Sequence, residues 1–318
     1  IEHATMHLVY FRFFTMALKD LGYLSFEEPV KRLFCQGMVC KMAHYCKTCK
    51  WVPEKDVDLE KKTCRKCGGE VVSEMSKISK TKLNTVSPDE IMDAYGADTM
   101  RLNILSDNPP DKEQIWSDES VQGAFRFLSR LYGLVKEHES EVNRDEARAL
   151  KGEPSGAERE ILRKMHQTIL RVTECFEKSF HFNTAIAAVF ELLNMFREHE
   201  SALSCGVKRE VIKNAALLLA PIVPHLSEEI WDVIKGGGES IFIQPWPEAD
   251  PELVRDETVE IAVQINGKVR SRVVMDASAT REECERAALG DARIEELLKG
   301  KAVKKVVVVP AKLVNIVI

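Results

Sequence analysis

The sequence predicts a multidomain protein, α/β plus all-α, in three parts. An α/β segment with an inserted cysteine-paired module comes first, a helical bundle second and a small C-terminal α/β domain last. Three observations carry this reading. Two Cys-x2-Cys pairs, Cys46/Cys49 and Cys64/Cys67, interrupt the first part and are followed by a lysine-rich loop, Lys77-Ile-Ser-Lys80-Thr81-Lys82-Leu-Asn84. From about residue 116 to 250, apolar residues recur at helical spacing between short loops, the pattern of an antiparallel bundle. Beyond 256 the period changes: Val259-Glu-Ile-Ala-Val-Gln-Ile265 alternates like a strand, and Asn266-Gly267 signals a two-residue hairpin. The parts are therefore placed at 1–115, with the cysteine module at 44–70, then 116–250 and 256–318.

Taken in order, residues 4–18 read as an amphipathic helix, and Pro29 breaks the chain. Lys31 to Cys35 and Gly37 to Val39 look like a short buried strand and its exit. Residues 44–70 are rich in Lys and Gly and poor in apolar periodicity, so a metal has to supply the stability that burial cannot. Ser87, Pro88 and Glu90 form an N-cap, a first-turn proline and a capping box for a helix ending near Gly96. A second helix follows over 98–105, and Asn108-Pro109-Pro110 punctuates a loop. Ser117 caps a long helix through about Glu137. Further helices are predicted over 157–179, 183–199, 207–220 and 225–235, then a proline-rich linker from Gln244 to Pro251. The last domain is read as strands 259–265 and 268–275, one helix over 280–299, and strands 303–309 and 313–318. Phe125, Phe127, Tyr132, Phe176, Phe180 and Phe182, at helical spacing, are read as core.

With 318 residues, 45% apolar and 30% charged, the composition is that of a globular protein with ample core material. No run approaches the roughly 18–20 apolar residues that span a bilayer, and no secretory leader is visible, so a cytoplasmic protein without a membrane segment is expected. The net charge of −5 hides an asymmetry. Residues 31–84 hold 13 Lys+Arg against 6 Asp+Glu, a local +7 that leaves −12 elsewhere. Such a stretch raises the local affinity for phosphate.

Nine cysteines, four of them in paired units, point to metal rather than disulfides. The fourteen residues between the pairs match a zinc ribbon. Four thiolates fill a tetrahedral shell and leave no position for water, which makes Cys46, Cys49, Cys64 and Cys67 ligands of a structural Zn2+. Gly68-Gly69 permits the turn that such a knuckle needs. His44 is a candidate alternate ligand. Cys35, Cys40, Cys175, Cys205 and Cys284 are read as small apolar residues. In the loop, Lys77 and Lys80 are compact point charges suited to phosphate that gains negative charge during attack. Lys268, Arg270 and Arg272 alternate along one strand, so all three are expected on one face, where they suit nucleic-acid phosphates.

Those residues carry a resemblance. Lys77 to Asn84 resembles the KMSKSKxN loop of class I aminoacyl-tRNA synthetases, with Ile78 and Thr81 in place of Met and Ser. Glu2-His3-Ala4 with His7 is similar to a Gly-x-Glu-His-Ala segment at the adenylate pocket of leucyl-tRNA synthetases. Gln36-Gly-Met-Val39 resembles the strand before their loop. Trp116-Ser-Asp-Glu119, Gly123 to Leu128, Leu219 to Trp231 and Gln244-Pro-Trp-Pro247 resemble the anticodon-binding bundle. Val263 to Arg270 and Lys312 to Ile318 resemble the C-terminal domain of the bacterial leucine enzymes.

The resemblance implies the C-terminal part of a Rossmann catalytic domain carrying a zinc-ribbon insertion, an anticodon-binding helical domain and a tRNA-binding tail. It implies formation of leucyl-adenylate from leucine and Mg-bound ATP, then transfer to tRNA(Leu). Lys77 and Lys80 would be catalytic; Lys77, Ser79, Lys80, Thr81 and His3 would contact ATP; Lys268, Arg270 and Arg272 would contact tRNA. The HIGH motif and an editing domain are not in the chain and are expected ahead of Ile1, in the same chain or a partner. Alone, the chain is expected to be an inactive monomer. A non-catalytic tRNA-binding subunit of a split synthetase, and a valyl, isoleucyl or methionyl relative, remain as alternatives.

Overall fold

The computed structural model describes residues 6–148, 150, 154–236, 238–254, 258–276, 279–299, 301, 303–309 and 312–318. Residues 1–161 and 168–248 form one compact unit; residues 162–167 and 249–318 form a second.

The first unit opens with α1 (His7–Asp20). β1 (Val39–Cys46) is the centre of a small sheet. It pairs antiparallel with β2 (Lys50–Val52) on one side and with β5 (Val71–Lys77) on the other. Between these lies a second antiparallel pair, β3 (Val57–Asp58) and β4 (Thr63–Cys64). The strand expected over 31–35 does not form. That stretch has no ladder partner, and pairing begins at Val39, where β6 (Gln114–Ile115) runs parallel to β1.

α2 (Pro88–Tyr95) starts as read: Ser87 Oγ accepts from the Glu90 N–H at 3.4 Å. Only this half of the expected capping box forms, whereas Ser155–Glu158 and Thr280–Glu283 make complete boxes. α3 (Ala97–Ser106) packs on the helices that follow, α4 (Asp118–Val142), α6 (Phe182–His199) and α8 (Pro224–Val233). α5 (Gly156–Glu174) precedes α6, and α7 (Cys205–Leu219) packs on α4, α6 and α8. α5 ends in a π-turn over Cys175–Ser179, closed by Phe180 in the left-handed region at φ 57°. Leu128, Leu131 and Val135 of α4, Leu192 and Phe196 of α6, Val211 and Leu218 of α7 and Trp231 of α8 are buried.

Of the six aromatics read as core, Phe127 is buried while Phe125 is 42% exposed. Phe176, Phe180 and Phe182 form their own half-buried ring cluster with Trp246. Helical spacing gives a side chain its face but not the partner that covers it. Among the single cysteines, Cys40, Cys175 and Cys284 are buried, Cys205 is half-buried and Cys35 is exposed.

In the second unit, α9 (Pro251–Val254) precedes β7 (Thr258–Ile265) and β8 (Lys268–Asp276), joined at Asn266-Gly267, both at positive φ. α10 (Arg281–Leu289) and α11 (Ala292–Leu298) stand where one helix was expected. Gly290 ends the first, and Asp291 starts the second by accepting from the Ile294 N–H. β9 (Lys305–Val309) and β10 (Leu313–Val317) complete a sheet of order β8-β7-β10-β9, in which β7 and β10 are parallel. Ile261, Val263, Cys284, Ile294, Val314 and Ile316 form its core.

Candidate functional site: a lysine loop rooted in a cysteine cluster

The sulfurs of Cys46, Cys49, Cys64 and Cys67 all lie within 4.8 Å of one another. A tetrahedral zinc–thiolate shell with Zn–S of about 2.3 Å separates its sulfurs by about 3.8 Å, so the cluster fits a structural ion. The strands bring these residues together: Cys46 ends β1, Cys49 lies in the β1–β2 turn, Cys64 ends β4 and Cys67 follows in its turn. The backbone must pass close to the sulfurs. A Cβ on Gly69 would stand 3.3 Å from Cys67 Sγ and 3.5 Å from Cys46 Sγ, and Gly68 sits at φ +71°.

The thiols are electrostatically divided. The Cys49 backbone N–H above all pulls the Cys46 pKa down to about 7, while the neighbouring Cys67 thiol pushes Cys49 up to about 12. All four ionise together only beside a cation. His44 stands apart from the cluster. Its Nδ1 meets Ser73 Oγ at 2.8 Å, its Nε2 is buried without a hydrogen-bond partner among the described residues, and burial lowers its pKa.

β5 runs from this cluster to the lysine loop, with Val71 opposite Cys46 and Lys77 opposite Cys40. The loop then folds back on the strand. Asn84, only 5% exposed, is its clasp. Its Nδ2 donates to Lys41 O at 3.0 Å, Lys77 O at 3.2 Å and Ser76 O at 3.3 Å. Its Oδ1 accepts from the Ser79 N–H at 2.9 Å. Ser79 Oγ accepts from the Thr81 N–H, and Leu83 takes φ +55°, which closes the turn. Lys77, Lys80 and Thr81 are exposed on it and Ser79 is half-buried. Lys80 makes no ion pair or side-chain hydrogen bond among the described residues.

The third lysine is differently placed. Lys82 Nζ donates to Ser76 Oγ at 2.6 Å and Glu74 Oε1 at 2.8 Å, and lies 4.8 Å from the centroid of Trp51. Sequence reasoning grouped it with its neighbours because the strand that it folds against was not visible as a partner.

It also missed a clasp between α3 and α8. On α3, Asp98 accepts from the Leu226 N–H at 2.7 Å and meets His225 Nδ1 at 2.8 Å. Arg101 donates to Ile222 O and Pro221 O, both at 2.8 Å. Asp98 thus supplies the N-terminal cap that α8 lacks in its own sequence, where an anionic group also meets the positive end of the helix. The two partners lie more than a hundred residues apart in the sequence, so no local pattern joins them.

Lys268, Arg270 and Arg272 are all exposed on β8, but they do not share a face as expected. A bulge near Val263/Gln264 breaks the alternation. Lys268 now opposes Ile265, on the side of the core residues, and Arg272 opposes Ala262 on the other. Arg272 also pairs with Glu260 at 3.5 Å. His3 lies outside the described residues. No helix among the described residues is long and apolar enough to cross a membrane.

The profile described as the anticodon-binding domain of tRNA ligase matches residues 158–285. A leucine–tRNA ligase of Desulfatibacillum aliphaticivorans is 39% identical over 328 aligned residues, covering all of this chain and 38% of its own length. The leucine–tRNA ligase of Syntrophobacter fumaroxidans is 41% identical, again over all of this chain and 35% of its own. In three dimensions the chain is similar to the LeuRS of an Agrobacterium radiobacter LeuRS–tRNA–LeuAMS ternary complex, with a TM-score of 0.77 and 29% identity over 99% of this chain and 37% of that one. Every residue of the chain aligns to ligases of one name, which it resembles over its whole length, and it spans little more than a third of the length of these relatives.

Proposed function

We propose that this chain is the C-terminal part of a leucine–tRNA ligase, supplying its KMSKS-type loop and its tRNA-binding domains. The observation that carries this is the loop itself: Lys77 and Lys80 exposed on a turn held from behind by Asn84, in a chain whose full length aligns with such ligases. Lys80 and Lys77 neutralise charge on the ATP α-phosphate and departing pyrophosphate as the leucine carboxylate attacks. Ser79 and Thr81 contact the nucleotide, with Mg-bound ATP as substrate. His3 is proposed to line the same pocket. The four-cysteine cluster holds zinc in a ribbon and stiffens the platform under the loop, without entering the reaction. The helical domain and the exposed Lys268, Arg270 and Arg272 bind tRNA(Leu) through phosphate contacts.

The remaining catalytic half is expected as a partner in the same or another chain. Exposed apolar residues of α1 and just beyond it support this: Tyr10, Phe13, Phe14, Leu21 and Tyr23 are 60%, 62%, 61%, 71% and 76% exposed. Apolar surface of that extent marks an interface. The test is binding of the 318-residue chain to leucine, valine and methionine tRNA transcripts across a salt series. Preference for the leucine transcript with a negative log–log salt slope supports the reading. Equal, weak binding to all three places leucine recognition elsewhere and overturns the assignment of tRNA selectivity to this chain.

A further inference from the structure

We propose that Lys82 and Trp51 form a latch through which the cysteine-paired module sets the resting position of the lysine loop, making both of them positioning residues for Lys77 and Lys80. The inference rests on the phosphate-binding reading of the loop, and three observations carry it.

The first is the division of labour among the lysines. Lys80 projects without a partner among the described residues, whereas Lys82 is half-buried and held by Glu74, Ser76 and the Trp51 ring. An ammonium spent on these three contacts is a fixing point, not a mobile phosphate ligand.

The second is register. Trp51 opposes Tyr45, Tyr45 opposes Val72, and Ser76 opposes Lys41. Residues directly opposite in antiparallel pairs share a face, as do residues two apart on a strand. Trp51, Tyr45, Glu74 and Ser76 therefore stand on one face of the sheet, and Lys82 lies over it. Tyr45 and Trp51 also pack edge to face with ring centroids 5.1 Å apart.

The third is that the cysteines frame this face. Cys46 and Cys49 bracket the turn that leads into β2, and Lys50, the first residue of β2, takes φ +64°. Holding Cys46 and Cys49 on one ion fixes the turn and so the place of Trp51. Loss of the ion frees β2, and the latch with it.

The test is amide hydrogen exchange on the full 318-residue chain, with zinc content measured alongside. In the zinc-loaded protein, Trp51→Ala and Lys82→Met are each expected to speed exchange over 79–84 by about threefold to tenfold, as local opening becomes easier. Trp51→Phe, which keeps a ring face, is expected to stay near the parent. Zinc content is expected to be unchanged in all three, a readout that a general loss of structure would move. Chelation of the parent is expected to reproduce the acceleration, and to add little to Trp51→Ala. Unchanged exchange over 79–84 in Trp51→Ala and Lys82→Met would overturn the latch. Acceleration in those variants with none on chelation would overturn its link to the metal. No nucleotide is used, so failure here is separate from failure of the phosphate reading, which Lys80→Ala decides.

Discussion

Lys80 and Asn84 divide the work of the loop at the scale of single residues. Lys80 is exposed and unpartnered among the described residues, so removing its charge changes chemistry and leaves packing alone. In a complete, active ligase carrying this segment, Lys80→Ala is expected to lower the single-turnover rate of adenylate formation by about 10²–10³-fold, roughly 2.7–4 kcal/mol of transition-state stabilisation. Leucine binding should change little, and an unaltered rate would sink the assignment. Asn84 is the reverse case, buried and fully used. Asn84→Ala strands one N–H and several carbonyls and should cost about 1–3 kcal/mol, read as a fall in melting temperature and loss of exchange protection over 77–84. The lysine spacing was legible in the sequence because the loop is local. Lys82 was not separable from its neighbours, because its partners Trp51 and Glu74 are brought to it by strand pairing.

Caps and clasps between helices are decided at the scale of elements. Glu158 closes its box with Ser155 and also accepts from the Ser204 N–H at 3.0 Å. Hydrogen bonds from Ser204 first and Ser155 next hold its pKa down at about 2, against 4.5 for a free carboxyl. A folded pKa below the unfolded one stabilises above the unfolded value, so this contribution is complete above about pH 4.5 and disappears as pH falls toward 2. The difference in urea midpoint between the parent and Glu158→Gln should therefore be largest near neutrality and shrink steadily below pH 4.5; a pH-independent difference would refute the ionic part. Asp98→Ala removes the cap of α8 and should cost about 1–2 kcal/mol by the same urea measurement, since α8 has no N-cap side chain of its own. The caps Ser87 and Ser117 could be read from sequence, because capping acts within four residues. The cap of α8 could not, since its carboxylate comes from position 98. The predicted single helix over 280–299 failed for a local reason: Gly290-Asp291 is an end followed by a start, which periodicity averages over.

For the whole molecule, the cysteine module holds too few apolar residues for a core of its own: Val52 and Val57, with Val71 just beyond it, are the buried aliphatics beside Cys46 and Cys64. Stripping the metal should therefore unfold residues 44–70 selectively, while the bundle, with its own buried helices, keeps its far-ultraviolet signal. One zinc per chain by elemental analysis, lost with chelator together with exchange protection of β1 and β2, is the expected result; protection that survives a metal-free preparation would remove the ribbon reading.

What the sequence determined by itself was written in short range. The two cysteine pairs, the Ser87 and Ser117 caps and the Asn266-Gly267 hairpin each depend on residues a few positions apart, and each is present. What tertiary structure decided was how distant stretches meet. Asp98 caps α8, Lys82 rests on Trp51, and a bulge turns Lys268 and Arg272 to opposite faces of β8. These depend on strand register and helix packing, which arise from many weak contacts summed over the fold, and no single stretch of sequence specifies them.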